Sequence, residues 1–180
     1  MANEIETKIL DIDAQEIKKK LLNLGAVEKL ATRLIVDWFR PVGTKEGEDP
    51  WFLRIRADST GKSEVTWKAI SNIQGTTRKH KEINFVIPEP EKLADLFTEL
   101  GLEPYAHQEK DRTTLTCQAW QFDLDQYPGM PAFLEIEGQS EKHVNEAIKL
   151  LALENNKTWP QGERLLIQNI YGLNWYQMRF

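Results

Sequence analysis

The sequence predicts an α+β domain in which antiparallel strands curl into a barrel with a polar lumen, and helices pack outside it. Three observations lead there. Strand after strand places charged side chains on one face and apolar ones on the other, the period-two alternation of an extended chain. Three longer segments have the apolar spacing of amphipathic helices, which need a surface to cover. The order strand, helix, further strands occurs twice, giving two similar halves. A sandwich would have neutral inward faces. A barrel that turns its charged faces inward and its apolar faces toward the helices reconciles all three observations.

The elements follow in order. Glu4 to Ile9 is a strand with Glu4, Glu6 and Lys8 on one face and Ile5, Thr7 and Ile9 on the other. Asp11 or Asp13 can cap a helix through about Leu24, with Ile17, Leu21, Leu22 and Leu24 as its stripe and Gly25 at its end. Lys18 to Lys20 form its solvated face. Leu34 to Phe39 reads as a strand closed by Pro41, and Pro41 to Pro50 as a loop. Trp51 to Arg56 and Glu64 to Lys68 form a hairpin turned at Gly61. Arg54 and Arg56 share one face, as do Thr66 and Lys68. Ser71 to Thr77 around Gly75 reads as a second loop.

The second half opens with a strand from Arg78 to Ile87, with Arg78, His80, Glu82 and Asn84 on one face. Pro88 and Pro90 introduce a helix through Leu100, with Leu93, Leu96, Phe97 and Leu100 at helical spacing. A strand from Lys110 to about Thr116 carries Lys110 and Arg112. Trp120 to Asp125 pairs Asp123 with Asp125 on one face, Tyr127-Pro128-Gly129 turns the chain, and Phe133 to Glu137 places Glu135 and Glu137 together. A helix from Glu141 to about Glu154 follows, with Val144, Ala147, Ile148 and Leu151 as its stripe. Leu165 to Ile170 reads as a short helix. The aromatic tail from Trp175 to Phe180 is expected to pack on the body or on a second subunit, as in a homodimer, rather than to carry chemistry.

Composition bounds the function. With 180 residues, 41% hydrophobic and 28% charged, the chain suits a single soluble domain over residues 1–180. A net charge of -5 argues against a nucleic-acid partner. The single Cys117 fits a reducing cytoplasm and reads as a core residue. No apolar run is long enough to span a bilayer, and Met1 to Glu4 lacks the character of a signal peptide, so the expectation is a cytoplasmic protein without a membrane partner.

The inward acids are Glu4, Glu6, Glu82, Asp123, Asp125, Glu135 and Glu137, and the inward bases are Lys8, Arg54, Arg56, Lys68, Arg78, Lys110 and Arg112. Buried charges must be paired or must hold a ligand. A purely structural ion-pair network would satisfy the first alternative, yet such networks rarely improve on apolar packing. The charges are also grouped by strand. Clustered carboxylates repel unless a cation sits among them, and an oxygen-only donor set suits Mg2+ or Mn2+. Clustered arginines and lysines call for an anion, and arginine suits phosphate. A hard cation on one wall and a polycation on the other describe a metal-bound polyphosphate.

The motifs carry a resemblance. Glu4-x-Glu6-x-Lys8 resembles the ExExK signature of the CYTH superfamily, the triphosphate tunnel metalloenzymes. Leu53-Arg54-Ile55-Arg56 resembles the family's LRIR strand, Thr66-Trp67-Lys68 its T-x-K, and Lys110-Asp111-Arg112 its K-x-R. Asp125 with Phe133-Leu134-Glu135-Ile136-Glu137 resembles the closing D…FLEIE, and Tyr171-Gly172 the C-terminal YG. The resemblance implies a closed eight-stranded antiparallel barrel. It implies metal binding by Glu4, Glu6, Asp125, Glu135 and Glu137, triphosphate binding by Lys8, Arg54, Arg56, Lys68, Lys110 and Arg112, and catalysis by Lys8 and Glu137. Arg78-Lys79-His80-Lys81-Glu82-Ile83-Asn84 departs from the family's R-x-E-x-E pattern, so Arg78, His80 and Glu82, with Asp123, stand as further tunnel residues of open role.

The expected activity is Mg2+- or Mn2+-dependent hydrolysis of a triphosphate: tripolyphosphate, thiamine triphosphate or ATP. One alternative is class IV adenylate cyclase chemistry, with cyclic AMP and pyrophosphate as products. Another, of a different class, is a non-catalytic polyphosphate- or nucleotide-binding module. The motifs hold the same triphosphate in every case.

Overall fold

In the computed structural model, which describes residues 3–180 and leaves aside the side chains of Asn3, Glu4 and Gln74, the opening strand β1 (Asn3–Ile9) is the seam of a closed ring. It pairs antiparallel with β9 (Phe133–Gly138) on one side and with β6 (Thr77–Ile87) on the other. Between these two the ring runs through β8 (Trp120–Gln126), β7 (Leu102–Cys117), β2 (Val27–Pro41), β3 (Phe52–Asp58) and β4 (Ser63–Lys68). Each neighbouring pair is antiparallel, so the expected eight-stranded closed barrel is what forms. Three short strands lie off the ring. β5 (Asn72–Gln74) extends β6, β10 (Thr158–Trp159) extends β1, and β11 (Gln177–Met178) runs parallel to β7.

Four helices lie outside the wall. α1 (Ala14–Asn23) is capped by Asp13, whose carboxylate accepts from the amides of Gln15 and Glu16. α1 and α3 (Glu141–Leu150) cover the outward apolar face of β1, β7, β8 and β9, including Ile9, Leu115, Phe122, Leu134 and Ile136. α2 (Pro90–Glu99) sets Phe97 on Phe39, Leu53, Ile55 and Val65. The fourth helix, α4 (Glu163–Asn169), plays a different part: its first residues line the lumen. Its Leu166 and Ile167 pack with Leu34, Val36 and Trp38 of β2, with Tyr127 and Phe133, and with Trp175. Val36 and Trp38 are register partners of Arg56 and Arg54, so this apolar wall faces inward beside the cationic one.

Several boundaries differ from expectation. β2 begins at Val27 rather than Leu34, and β7 at Leu102 rather than Lys110; the two pair along their whole length. Pro104 hides the early start of β7, because proline donates no ladder hydrogen bond. The strand accommodates it at a register shift opposite Trp38 and Phe39. The loop expected at Ser71 to Thr77 is a β-hairpin that places Ile73 opposite Arg78, with Gly75 at φ +54° in its turn. α3 ends at Leu150, short of Glu154, and Ala152 takes the left-handed conformation just beyond it. Leu22 and Leu24 of the first expected stripe, and Leu96 and Leu100 of the second, are exposed. Each helix covers the barrel with a narrower face than its leucines suggest. The tail packs on the body, with Trp175 and Met178 buried. Among the described residues no helix is long and apolar enough to cross a membrane.

Candidate active site

Closure of the ring brings the charged faces together around a cavity of about 800 Å3. Its wall includes Glu6, Arg54, Arg56, Lys68, Arg78, His80, Glu82, Lys110, Arg112, Asp123, Glu135 and Glu137 from seven strands. Register explains the convergence. Residues directly opposite on antiparallel strands share a face. Glu6 lies opposite Glu137 and Arg78, Lys8 opposite Glu135, Glu135 opposite Asp123, and Arg112 opposite Asp125. The strand alternation legible in each segment thereby becomes one continuous polar lining.

Two predicted residues stand behind that lining. Lys8 and Asp125 are fully buried and do not reach the cavity. The Lys8 ammonium lies 2.8 Å from Glu135 and 3.4 Å from Glu6. Asp125 accepts from Lys110 at 2.7 Å and from both Nε and Nη2 of Arg112 at 2.6 Å. Both therefore fix the groups that do face the cavity. Glu4 is a β1 residue whose side chain lies outside the described residues.

Most lumen cations already face a carboxylate. Arg56 donates to Glu64 at 2.8 Å, Arg78 bonds Glu6, Lys68 pairs with Glu82, and Arg112 reaches Asp123 at 2.8 Å. Arg54 differs. Its Nε has no hydrogen-bond partner among the described residues, and its guanidinium lies 5.4 Å from the centre of the Trp38 ring. Burial, and then the neighbouring Arg56, depress its pKa, the mark of a cation held where a counter-anion is wanting.

The carboxylates divide into two kinds. Burial pushes Glu135 up, but Lys8, Arg112, Lys110 and Arg78 outweigh it and hold its carboxyl well below the usual range. Glu6 is likewise lowered on balance, burial being overcome chiefly by Arg78 and Lys8. Asp123 goes the other way. Burial raises its pKa, and the adjacent Asp125 and Glu135 add to the rise against the pull of Arg112. The lumen thus holds an acid that its own cations do not fully compensate.

Glu64, which lines the cavity beside Arg56, was not foreseen, and neither was a carboxylate from outside the barrel strands. Glu163, at the start of α4, extends into the cavity, where its carboxylate accepts from Lys110 at 2.8 Å and from the Tyr127 hydroxyl at 2.6 Å. Burial raises its pKa, but Lys110 leads the cations that hold it far below the ordinary value. Next to it, Arg164 bonds Asp49 at 2.8 Å and ties α4 to the loop between β2 and β3. The visible signal is only Gly162-Glu163 opening a short apolar helix. A helix that lines the lumen with its first residues has no strand alternation to read.

Glu6, Glu135, Glu137 and Asp123 offer oxygen only, which suits a hard cation, and Glu6 sits directly across from Glu137. In the present arrangement no three His, Cys, Asp or Glu side chains among the described residues are gathered around a common point. The chemistry of the donors fits Mg2+ or Mn2+, while Glu6, Glu135 and Asp123 are turned toward lysine and arginine.

A closed antiparallel barrel whose lumen combines an arginine–lysine wall with an acidic one defines a class of tunnel folds with a charged interior. Comparison with known proteins makes this specific: the CYTH domain family matches residues 2–158, and the chain belongs to that family. It is 28% identical over 150 residues to a Methanocaldococcus jannaschii protein named "putative adenylate cyclase", an alignment covering 82% of this chain and 83% of that one. A solved Pyrococcus horikoshii protein superposes with a TM-score of 0.73 at 26% identity, covering 88% of this chain and 96% of that one. A Hippeastrum protein described as a "putative adenylyl cyclase" with a dominant triphosphatase activity shares the fold, with a TM-score of 0.66, 13% identity and 97% coverage of each chain.

Proposed function

We propose that this protein is a divalent-metal-dependent enzyme that binds a triphosphate in its barrel lumen and hydrolyses it. The observation that carries the reading is the cationic wall of Arg54, Arg56, Lys68, Lys110 and Arg112 around one cavity, with Arg54 lacking a partner for its Nε among the described residues. Three linked phosphates supply several negative charges and many acceptor oxygens, which planar guanidinium groups recognise in pairs. Phosphoryl transfer needs mainly positioning and charge neutralisation, and both are preorganised in a closed lumen.

Each group has a part in this reading. Arg54 and Arg56 take phosphate oxygens from β3, Lys68 from β4, and Lys110 and Arg112 from β7. Binding draws Lys110 from Glu163 and Arg112 from Asp123. Lys8 is a positioning residue that holds Glu135 and Glu6 from behind, and Asp125 does the same for Lys110 and Arg112. Glu6, Glu135 and Glu137, with Glu4, would hold Mg2+ or Mn2+. Such an ion, when bound, supplies Lewis-acid neutralisation of phosphate charge and lowers the pKa of coordinated water. Glu137 is the carboxylate we assign next to the reacting oxygen.

Class IV adenylate cyclase chemistry is the second reading. It is favoured by the name that the Methanocaldococcus relative carries. Product analysis separates the readings. Purified protein is incubated with Mg2+ or Mn2+ and, in turn, tripolyphosphate, thiamine triphosphate and ATP. Orthophosphate is the expected product, and it should vanish with excess chelator. Cyclic AMP with pyrophosphate would establish the cyclase instead. Binding without any product would leave a non-catalytic module, and full turnover in chelator would remove the metal from the assignment.

A further inference from the structure

Lys110 is held by two carboxylates, one behind the cavity wall and one in front of it. Asp125, from the neighbouring strand β8, is fully buried, does not reach the cavity, and accepts from the Lys110 ammonium at 2.7 Å. It also accepts from Arg112 at 2.6 Å, so it does not balance Lys110 alone. Glu163 comes from outside the ring, lines the cavity, and accepts a second hydrogen bond from the same ammonium at 2.8 Å. The result is visible in exposure. The side chains of Arg56 and Lys68 on the same cationic wall each keep 18% of their surface open, whereas that of Lys110 keeps 2%. With Asp125 behind it, Lys110 can meet a ligand only from the cavity, and there Glu163 stands in front of it.

The Glu163 carboxylate is a permanent anion. Burial raises its pKa, but Lys110 leads the cations that hold it far below the ordinary value, so it stays ionised through the neutral range. A phosphate oxygen brought to Lys110 beside it would set like charges together in a buried site, which is strongly unfavourable. The backbone behind Glu163 is fixed, because Leu166 and Ile167 are fully buried and Arg164 bonds Asp49 at 2.8 Å. The glutamate side chain has rotatable bonds of its own, and it is tied by Lys110 and by the Tyr127 hydroxyl at 2.6 Å. Tyr127 is itself fully buried and stands outside the cavity lining.

We infer that Glu163 is a built-in substitute for phosphate: in the ligand-free protein its carboxylate fills the position at Lys110 that a phosphate oxygen of the ligand takes, and it must swing away before the ligand is fully seated. The inference rests on the triphosphate reading above and deepens it, by naming the group that sets how tightly the lumen holds its ligand. Every anion that reaches Lys110 binds more weakly for having to displace a charge already there. The same exchange favours release, since Glu163 returns to Lys110 as the anion leaves.

The test is calorimetric binding of tripolyphosphate to wild-type protein and to the Glu163→Gln and Tyr127→Phe variants. Glu163→Gln keeps the shape and removes the charge, and it should tighten binding about tenfold or more, because a like charge beside a bound anion is costly in a buried site. Tyr127→Phe removes one of the two holds on the carboxylate without touching the cavity. It should tighten binding about threefold, the scale of one net hydrogen bond. Thermal melts of the ligand-free proteins check that both variants fold. Unchanged affinity in Glu163→Gln would overturn the inference while leaving the triphosphate site standing. So would weakened affinity, which would make Glu163 a residue that holds Lys110 in place for the ligand. Should Glu163→Gln fail to fold, Tyr127→Phe carries the test by itself, and unchanged or weaker binding there would overturn the inference. Failure of tripolyphosphate to bind to all three proteins would overturn the triphosphate reading and this inference with it.

Discussion

Arg54 and Asp123 are lumen side chains whose charged forms their surroundings disfavour, and they lead to opposite predictions. Arg54→Ala should weaken triphosphate binding by about 2–5 kcal/mol, the usual loss when one member of a buried charge pair is truncated. It should not destabilise the ligand-free protein, because the residue forms no ion pair among the described residues. Calorimetry and melts on the same preparations check both halves; wild-type affinity in the variant would remove Arg54 from the site. Asp123→Asn should raise the ligand-free melting temperature. Its raised pKa means that folding works against the ionised form at neutral pH, and a neutral side chain of the same shape relieves that cost. A lowered melting temperature would mean that the contact with Arg112 outweighs the repulsion from Asp125 and Glu135. Both residues were legible in the sequence as inward charges, since alternation assigns a face. Depth along the barrel axis was not legible. Nothing in Glu4-x-Glu6-x-Lys8 distinguishes Lys8, behind the wall, from Glu6, on it.

Among the elements, α4 decides most about the site and announces itself least. Leu166 is fully buried in the cluster it forms with Leu34, Val36, Trp38 and Trp175. Leu166→Ala should cost about 2–5 kcal/mol of stability through the lost burial and the cavity left behind. Because the helix also carries Glu163, the same variant should disturb the carboxylate that holds Lys110. Urea unfolding measures the first effect, and the apparent affinity for tripolyphosphate measures the second. A variant as stable as wild type would show that α4 does not depend on this buried contact. The strands were readable because each alternates by itself, whereas the role of α4 arises only from where it packs beside the lumen. The short ladders β5, β10 and β11 escaped for a related reason. Two or three residues carry no period, and they are ordered only by an edge that is already in place.

For the whole molecule, the ion pairs set the response to acid. Glu6 and Glu135 have folded pKa values below their unfolded value of 4.5. A depressed carboxyl contributes stability that is complete above the unfolded pKa and is lost as the pH falls through the folded one. Melting temperature should therefore hold level down to about pH 5 and then decline steeply. Asp123, shifted the other way, works against this loss, so the Asp123→Asn variant should decline more steeply. Scanning calorimetry from pH 7 to pH 3 makes the comparison. A protein that gained stability on acidification would contradict the assignment of Glu6 and Glu135 as paired carboxylates.

The seam of the ring also governs how the barrel is made. β1 pairs with β6 and with β9, so during synthesis it must wait for residues 133–138 before its second edge is satisfied. At about 5–20 residues per second, that is a delay of several seconds or more during which the nascent chain carries an open edge. Contacts so distant along the chain also slow the search for the native state, which for such topologies takes milliseconds to seconds. The early charges of β1 suit that interval: a strand bearing Glu4, Glu6 and Lys8 is a poor template for adventitious pairing. Charges that are buried in the finished barrel, such as Glu6 and Lys8, would then have an earlier use, keeping the unfinished chain from aggregating.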